Sequence, residues 1–208
     1  MLLHFPFKTV VDPFINTDQR RTLWDWHFQG ANASFAHGDL NPRNILLIRG
    51  SGEDFFSPVL IDFHRFGVGG PLAIDFARLE CGIQIKGLKS YISQASSNVS
   101  QHENLVRYEK CINSHNSFED NYQNSPEAMS LPPELRKAVA FVCAIRNSYK
   151  RRVPYDFQDS HSYFSVLMFN YLSYLRGIYD NILTTEQKLF AFYSAACIFK
   201  RHFLYPVK

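Results

Sequence analysis

Apolar positions recur along this chain in two rhythms, and the change of rhythm divides it. Between residues 45 and 63 they form two compact runs, Ile45 to Ile48 and Pro58 to Phe63, separated by the turn cluster Arg49-Gly50-Ser51-Gly52-Glu53-Asp54. Short apolar runs bounded by Gly and polar residues predict a β-hairpin with a somewhat long loop. Antiparallel pairing would bring Asn44, at the entrance of the first strand, and Asp62, at the exit of the second, to the same end. Further on the period is helical. Leu135, Val139, Val142, Ile145 and Tyr149 share one face of a helix that Pro132-Pro133-Glu134 opens and Lys150-Arg151-Arg152 closes. His161 to Tyr179 is apolar almost all round, with Phe164, Leu167, Phe169, Leu172, Leu175 and Ile178, which predicts a central buried helix. Thr184-Thr185-Glu186-Gln187 has capping-box spacing and starts a last helix to about Phe203.

The remaining segments read more weakly. Residues 1 to 16, with Pro6 and Pro13, predict an irregular lead-in, followed by a helix from about Asp18 to Gln29 that Gly30 stops. Gly67-Val68-Gly69-Gly70-Pro71 predicts a flexible turn, with Pro71 in the first turn of a helix reaching about Cys81. No Lys-Ser/Thr follows these glycines, so they are not read as a phosphate cradle. Lys89 to Ala95 and His102 to Asn113 are weakly periodic helices, and the polar stretch His115 to Ser130 predicts a loop. The expected fold class is α+β and mainly α-helical, with a small hairpin that carries the chemistry.

Composition narrows the class. With 46% hydrophobic and 20% charged residues, 19 Phe and 11 Tyr, the chain can build a dense aromatic core. The formal charge of +3 balances 22 basic against 19 acidic residues. Its one tight basic run closes a predicted helix, where cations complement the helix dipole. A broad basic face is missing, so no nucleic-acid partner is expected. Cys81, Cys111, Cys143 and Cys197 form no CxxC pair and read as free thiols in a reducing compartment. No basic leader or membrane-length apolar segment stands out, and the expected location is cytoplasmic, away from membranes. His27, His102, His115, His161 and His202 have no metal-ligand spacing, which argues against zinc.

The candidate chemistry lies in Ala36-His37-Gly38-Asp39-Leu40-Asn41-Pro42-Arg43-Asn44, followed on the second apolar run by Ile61-Asp62-Phe63. Phosphoryl transfer needs the phosphates neutralised by metal, the acceptor hydroxyl held in line and its proton accepted. Asp39 is the candidate acceptor-orienting base. Asn44 and Asp62 are hard oxygen donors of the kind Mg²⁺ uses while nucleotide phosphates and water complete its shell. His37 can lock the loop by hydrogen bonding, and Gly38 permits a tight turn before Asp39. Arg43, inside the loop, can steer an anionic substrate. His64 and Arg65 read better as solvated loop residues than as phosphate contacts. The pattern His-Gly-Asp-x-x-x-x-Asn arises by chance in roughly one chain per thousand of this length.

At these residues the chain resembles the aminoglycoside and choline phosphotransferase branch of the protein-kinase-like superfamily, whose catalytic loop has this pattern and whose metal-binding aspartate follows on a strand. Gly70-Pro71-Leu72-Ala73-Ile74-Asp75-Phe76-Ala77-Arg78-Leu79-Glu80 resembles the family's next helix, which implies that Asp75 braces the catalytic loop through backbone amides. The set of motifs looks closest to the bacterial kinase-like ternary-complex-associated domains attached to conflict and signalling systems. The resemblance implies a kinase-like C-lobe over 36–208, after a lead-in, hinge-like segment and first helix over 1–35. It implies ATP and Mg²⁺ as cofactors, with Arg43, Asn44 and Asp62 on the nucleotide side, and a hydroxyl-bearing substrate or protein as partner. The expected activity is γ-phosphate transfer to that hydroxyl; the alternative is a non-catalytic, pseudokinase-like interaction module. The family's N-lobe, with its sheet and strand lysine, does not fit in the about 35 residues before His37, and Lys8 is a poor substitute for that lysine. An N-lobe is therefore expected from a separate chain or a longer version of the protein.

Overall fold

The computed structural model describes residues 33–49, 56–71, 73–152, 160–176 and 181–204. The expected helix from Asp18 to Gln29, the lead-in before it and Lys8 lie outside the described residues. Strands β2 (Ile45–Arg49) and β3 (Phe56–Leu60) form the expected hairpin, with Ile45 opposite Leu60 and Arg49 opposite Phe56. The other sheet corrects the sequence reading. Gly67–Pro71, expected to be a flexible turn, is strand β4, paired antiparallel with β1 (Ala33–Ala36) across an irregularity between Ser34 and Phe35. Glycine is a poor strand former when read locally. Here the extended form is held by ladder bonds from a segment some thirty residues upstream, which local propensity does not register.

Seven helices follow among the described residues: α1 (Ala73–Gly87), α2 (Lys89–Ala95), α3 (Val99–Ile112), α4 (Pro126–Met129), α5 (Pro133–Arg152), α6 (Ser160–Ser173) and α7 (Thr185–Phe199), the last continued by a π-turn over Lys200–Leu204. The fold is thus mainly helical with two small antiparallel sheets. The capping box forms as its spacing predicts: the Thr184 hydroxyl accepts from the Gln187 N–H at 3.3 Å, and the Gln187 amide oxygen accepts from the Thr184 N–H at 3.0 Å. The stretch from His115 to Ser130 contains two short 3₁₀ turns and α4, whose start is set by the Ser125 side chain accepting the Ala128 N–H at 3.2 Å. α6 ends at Ser173, and Leu175 is exposed rather than part of a buried helix.

α1 runs on to Gly87, past the expected end at Cys81, because its polar residues are partnered inside the protein. It packs against α5, α6 and α7, and α6 packs against α7. Ala77, Cys81 and Ile85 of α1, Leu135, Val139 and Val142 of α5, and Phe164, Leu167 and Tyr171 of α6 form the heart of the core. Cys81, Cys111 and Cys143 are buried free thiols and Cys197 is a partly buried one. Among the described residues, no helix is long and apolar enough to cross a membrane.

Among the described residues, one ion pair sits fully inside. The Arg146 guanidinium of α5 donates to both oxygens of Glu80 on α1, Nε to Oε2 at 3.0 Å and Nη2 to Oε1 at 2.6 Å. The Tyr163 hydroxyl donates to Glu80 Oε2 at 2.6 Å, and Gln84 Nε2 donates to Oε1 at 3.0 Å. The other edge of Arg146 donates through Nη1 to the Ile112 carbonyl and the Ser117 hydroxyl. Phe118, Tyr163 and Phe164 surround it with ring faces. Burial opposes the charge, but the Glu80 carboxylate outweighs it and raises the Arg146 pKa above its usual value. This network fixes α1 against α5, so α1 is a rigid platform for whatever its N-terminal half carries.

Candidate active site

β1 ends at Ala36, opposite Gly67 of β4, and the chain then turns sharply. Gly38 makes the turn with φ of +76°, and among the described residues it is the glycine in the left-handed region. A Cβ there would lie 2.5 Å from the Arg65 carbonyl oxygen. Left-handed geometry costs an L-residue roughly 1–2 kcal/mol, and the clash adds to it. Gly38→Ala should therefore lower the unfolding free energy in urea by about 2 kcal/mol or more. Gly67→Ala, whose Cβ would meet nothing within 4 Å, is the control and should stay within about 0.5 kcal/mol. Equal losses in the two variants would refute this account of the turn.

Asp75, in the first turn of α1, ties the turn down. Its carboxylate accepts the N–H of His37 at 2.6 Å and that of Gly38 at 2.9 Å, both charge-assisted. An acid in the first turn is also favoured by the helix dipole. The His37 ring is buried, tilted against Phe63 with ring centroids 4.7 Å apart, and its Nε2 lies 2.8 Å from the Ile61 carbonyl. A carbonyl only accepts, so Nε2 carries the proton in that bond. His37 thus links the loop to the strand exit just before Asp62.

The second half of the loop is closed by its asparagines. Asn41 caps the 3₁₀ turn Pro42–Asn44, its side-chain oxygen accepting the Arg43 N–H at 3.0 Å while its NH₂ donates to the Asp39 carbonyl at 3.0 Å. Asn44 is buried, and its NH₂ donates to the same carbonyl at 2.8 Å. The Asn44 carbonyl in turn accepts the Ile61 N–H at 3.0 Å. Asp39, Asn44 and the Ile61-Asp62 segment are therefore one hydrogen-bonded unit. With its NH₂ committed to the loop, the Asn44 amide keeps Oδ1 for another partner.

The two acids are held differently. Asp39 is mostly buried, with Oδ1 2.5 Å from Arg78 Nη2 and 3.4 Å from the Asn41 NH₂, so that both contacts fall on the same carboxylate oxygen and leave Oδ2 outside them. Asp62 is exposed and left-handed, at φ 64° and ψ 59°. Such geometry costs a non-glycine residue of order 1–3 kcal/mol and clusters at functional sites, although Asn121 in a loop shares it here. Arg65 Nε donates to His64 Nε2 at 3.2 Å, so His64 Nδ1 carries the proton it gives to Asp62 Oδ1 at 2.6 Å. His64 and Arg65 are exposed, as solvated loop residues would be, yet their side chains form a relay that ends on Asp62. Asn44 Oδ1 and the second Asp62 oxygen are hard oxygen atoms, the donor type that a divalent cation of the Mg²⁺ kind takes, while among the described residues no group of three or more His, Cys, Asp or Glu side chains is placed to hold a metal ion.

Several residues at the site escaped the sequence reading. Arg78 pairs with Asp39, and Gly82 lies against the loop, where an added Cβ would come 2.8 Å from Pro42 Cδ. Lys86 follows one turn later. The signal was present: Asp75, Arg78, Gly82 and Lys86 are spaced three, four and four residues apart, which puts them on one face of a helix.

Fold and site together define a mainly helical α+β domain in which a loop, a hairpin and one buried helix gather acids, amides and cations at a single place. Residues 4–175 match the family model of ternary complex associated domain 9, and the chain belongs to that family. No curated protein and no solved structure matches it.

Proposed function

We propose that this domain is the C-lobe of a kinase-like phosphotransferase of the aminoglycoside-phosphotransferase type, which transfers the γ-phosphate of Mg·ATP to a hydroxyl. The observation that carries the reading is the hydrogen-bonded unit joining Asp39, Asn44 and the Ile61-Asp62 segment, fixed to α1 through Asp75. In it Asp39 orients the acceptor hydroxyl through Oδ2 and takes up its proton. Asn44 Oδ1 and Asp62 would hold Mg²⁺, which when bound neutralises phosphate charge and aligns the transferred group. His37, Gly38 and Asp75 set the loop geometry. The hairpin leaves Leu46, Leu47, Ile48, Val59 and Leu60 exposed beside Asp62. Exposed apolar patches mark interaction surfaces, and this one suits a nucleotide base and the N-lobe that the proposal includes, from a partner chain or a longer form.

A second reading, a non-catalytic module acting by binding in a bacterial conflict-type system, is favoured by the Arg78–Asp39 pair, which occupies one of the two carboxylate oxygens that a substrate hydroxyl would need. Nucleotide separates the two. Mg·ATP at a hundredfold excess over its dissociation constant should stabilise the protein by about 2.7 kcal/mol in thermal unfolding. Asp62→Asn should abolish that shift while folding normally, because Asn tolerates the left-handed conformation. Transfer of labelled γ-phosphate decides for the enzyme; a shift without transfer decides for the module. Failure of Mg·ATP to move the unfolding curve, with or without an added N-lobe, would sink the enzyme reading.

A further inference from the structure

The face of α1 that meets the loop carries more positive charge than the loop can use. Arg78, Gly82 and Lys86 are spaced four apart, so on a helix rising ~1.5 Å per residue the two cations stand ~12 Å apart along the axis with Gly82 midway. Gly82 lies against Pro42, so the exposed Arg43, the next residue in the loop, follows directly on the contact with this face, and its charge acts on Lys86. Asp39 is the acid of this group, and Arg78 already pairs with it at 2.5 Å. Among the described residues, neither Arg43 nor Lys86 has an ion-pair partner. Lys86 is half-buried; burial first, then Arg43 and Arg78, depress its pKa, against the pull of Asp39. Two cations beside a candidate base, one of them partly desolvated, leave a charge deficit near that of a phosphate monoester, about −1.5 to −2 at neutral pH.

We infer that Arg43 and Lys86 form an anion subsite next to Asp39, which takes a phosphate group on a small hydroxyl-bearing acceptor. The inference rests on the phosphotransferase reading and names its substrate class: a phosphorylated small molecule with a free hydroxyl. Arg43 and Lys86 hold the existing phosphate, and this presents the hydroxyl to Asp39 Oδ2. The hydroxyl oxygen then forms its bond to the γ-phosphorus as the bridging P–O bond to ADP breaks. ADP keeps the electron pair, and the hydroxyl proton passes to Asp39.

The test uses the full 208-residue chain and glycerol 3-phosphate as probe, with glycerol and KCl of equal ionic strength as controls. Glycerol 3-phosphate should give a saturable thermal shift that neither control reproduces. Lys86→Gln and Arg43→Gln should each weaken it roughly ten-fold, the loss expected for one charged hydrogen-bond donor, and Lys86→Arg should retain it. Asp62→Asn should leave this response intact, while Lys86→Gln should leave the Mg·ATP response intact, so the subsite and the nucleotide reading fail separately. An unsaturable response, a response matched by KCl, or equal affinity in the Gln variants would overturn the subsite. Tighter binding of a phosphopeptide or an oligonucleotide than of glycerol 3-phosphate would overturn the small-molecule assignment.

Discussion

Arg146→Met should destabilise the protein by about 3–5 kcal/mol, because it leaves the Glu80 carboxylate charged and buried without its partner. Both side chains are fully enclosed, so water cannot replace the guanidinium. The loss also strips a donor from the Ile112 carbonyl and from Ser117. Urea unfolding at neutral pH measures it. Arg146→Lys should recover little, since an ammonium is a point donor and the site uses a planar fork that reaches two Glu80 oxygens on one side and two further acceptors on the other. The double variant Glu80→Gln/Arg146→Met should lose less than the two single losses added together, by at least about 1 kcal/mol, because groups in one network are not additive. A loss within about 1 kcal/mol for Arg146→Met would mean that this pair is not the anchor between α1 and α5.

The same anchor explains why the site is organised as it is. α1 carries Asp75 at its start, Arg78 one turn on, Glu80 on its buried side and Gly82 against the loop. The helix that holds the loop is therefore itself held by the charge pair that is least exposed among the described residues. The loop around Asp39 is thus held from two sides, by Asp75 and Arg78 of α1 and, through Asn44, by the Ile61-Asp62 segment at the exit of the hairpin.

What the sequence made legible was local. The hairpin, the α5 face and the capping box each rest on spacings of a few residues, and each formed with nearly its expected bounds. The loop motif brought together Asp39 and Asn44, five residues apart, through a single backbone carbonyl. Partnerships across long separations were not legible. Arg146 reaches Glu80 over 66 residues; its place on the apolar face of α5, four after Val142 and three before Tyr149, is in the sequence, but the partner it finds there is not. β4 read as a turn because its pairing energy comes from β1, and a glycine-rich segment has no side-chain signal of its own. The Arg78–Asp39 pair lies between these extremes: the helix face was readable, its target was not.

Glu109→Gln should raise stability above pH 7 by up to about 3 kcal/mol and flatten the pH dependence between about 4.5 and 7. Glu109, on α3, is buried, and that burial pushes its pKa up from 4.5 to about 7, against hydrogen bonds from Ser194 and Asn113 and the more distant charge of Arg146, which favour the ionised form. With the folded pKa above the unfolded one, the native state binds the extra proton. Its stabilisation is complete below pH ~4.5, falls as pH rises and is gone above ~7, a span worth ~3 kcal/mol at 1.36 kcal/mol per unit. Glutamine mimics the protonated acid. The Ser194 hydroxyl donates to Glu109 Oε1 at 2.6 Å and lies 2.9 Å from the Phe190 carbonyl, so it can turn its hydrogen to Phe190 and accept from the new amide. Urea unfolding at pH 5 and at pH 8 checks the sign: the gap between variant and parent should open as pH rises. Parallel curves at both values would show that Glu109 titrates alike in the folded and unfolded chains.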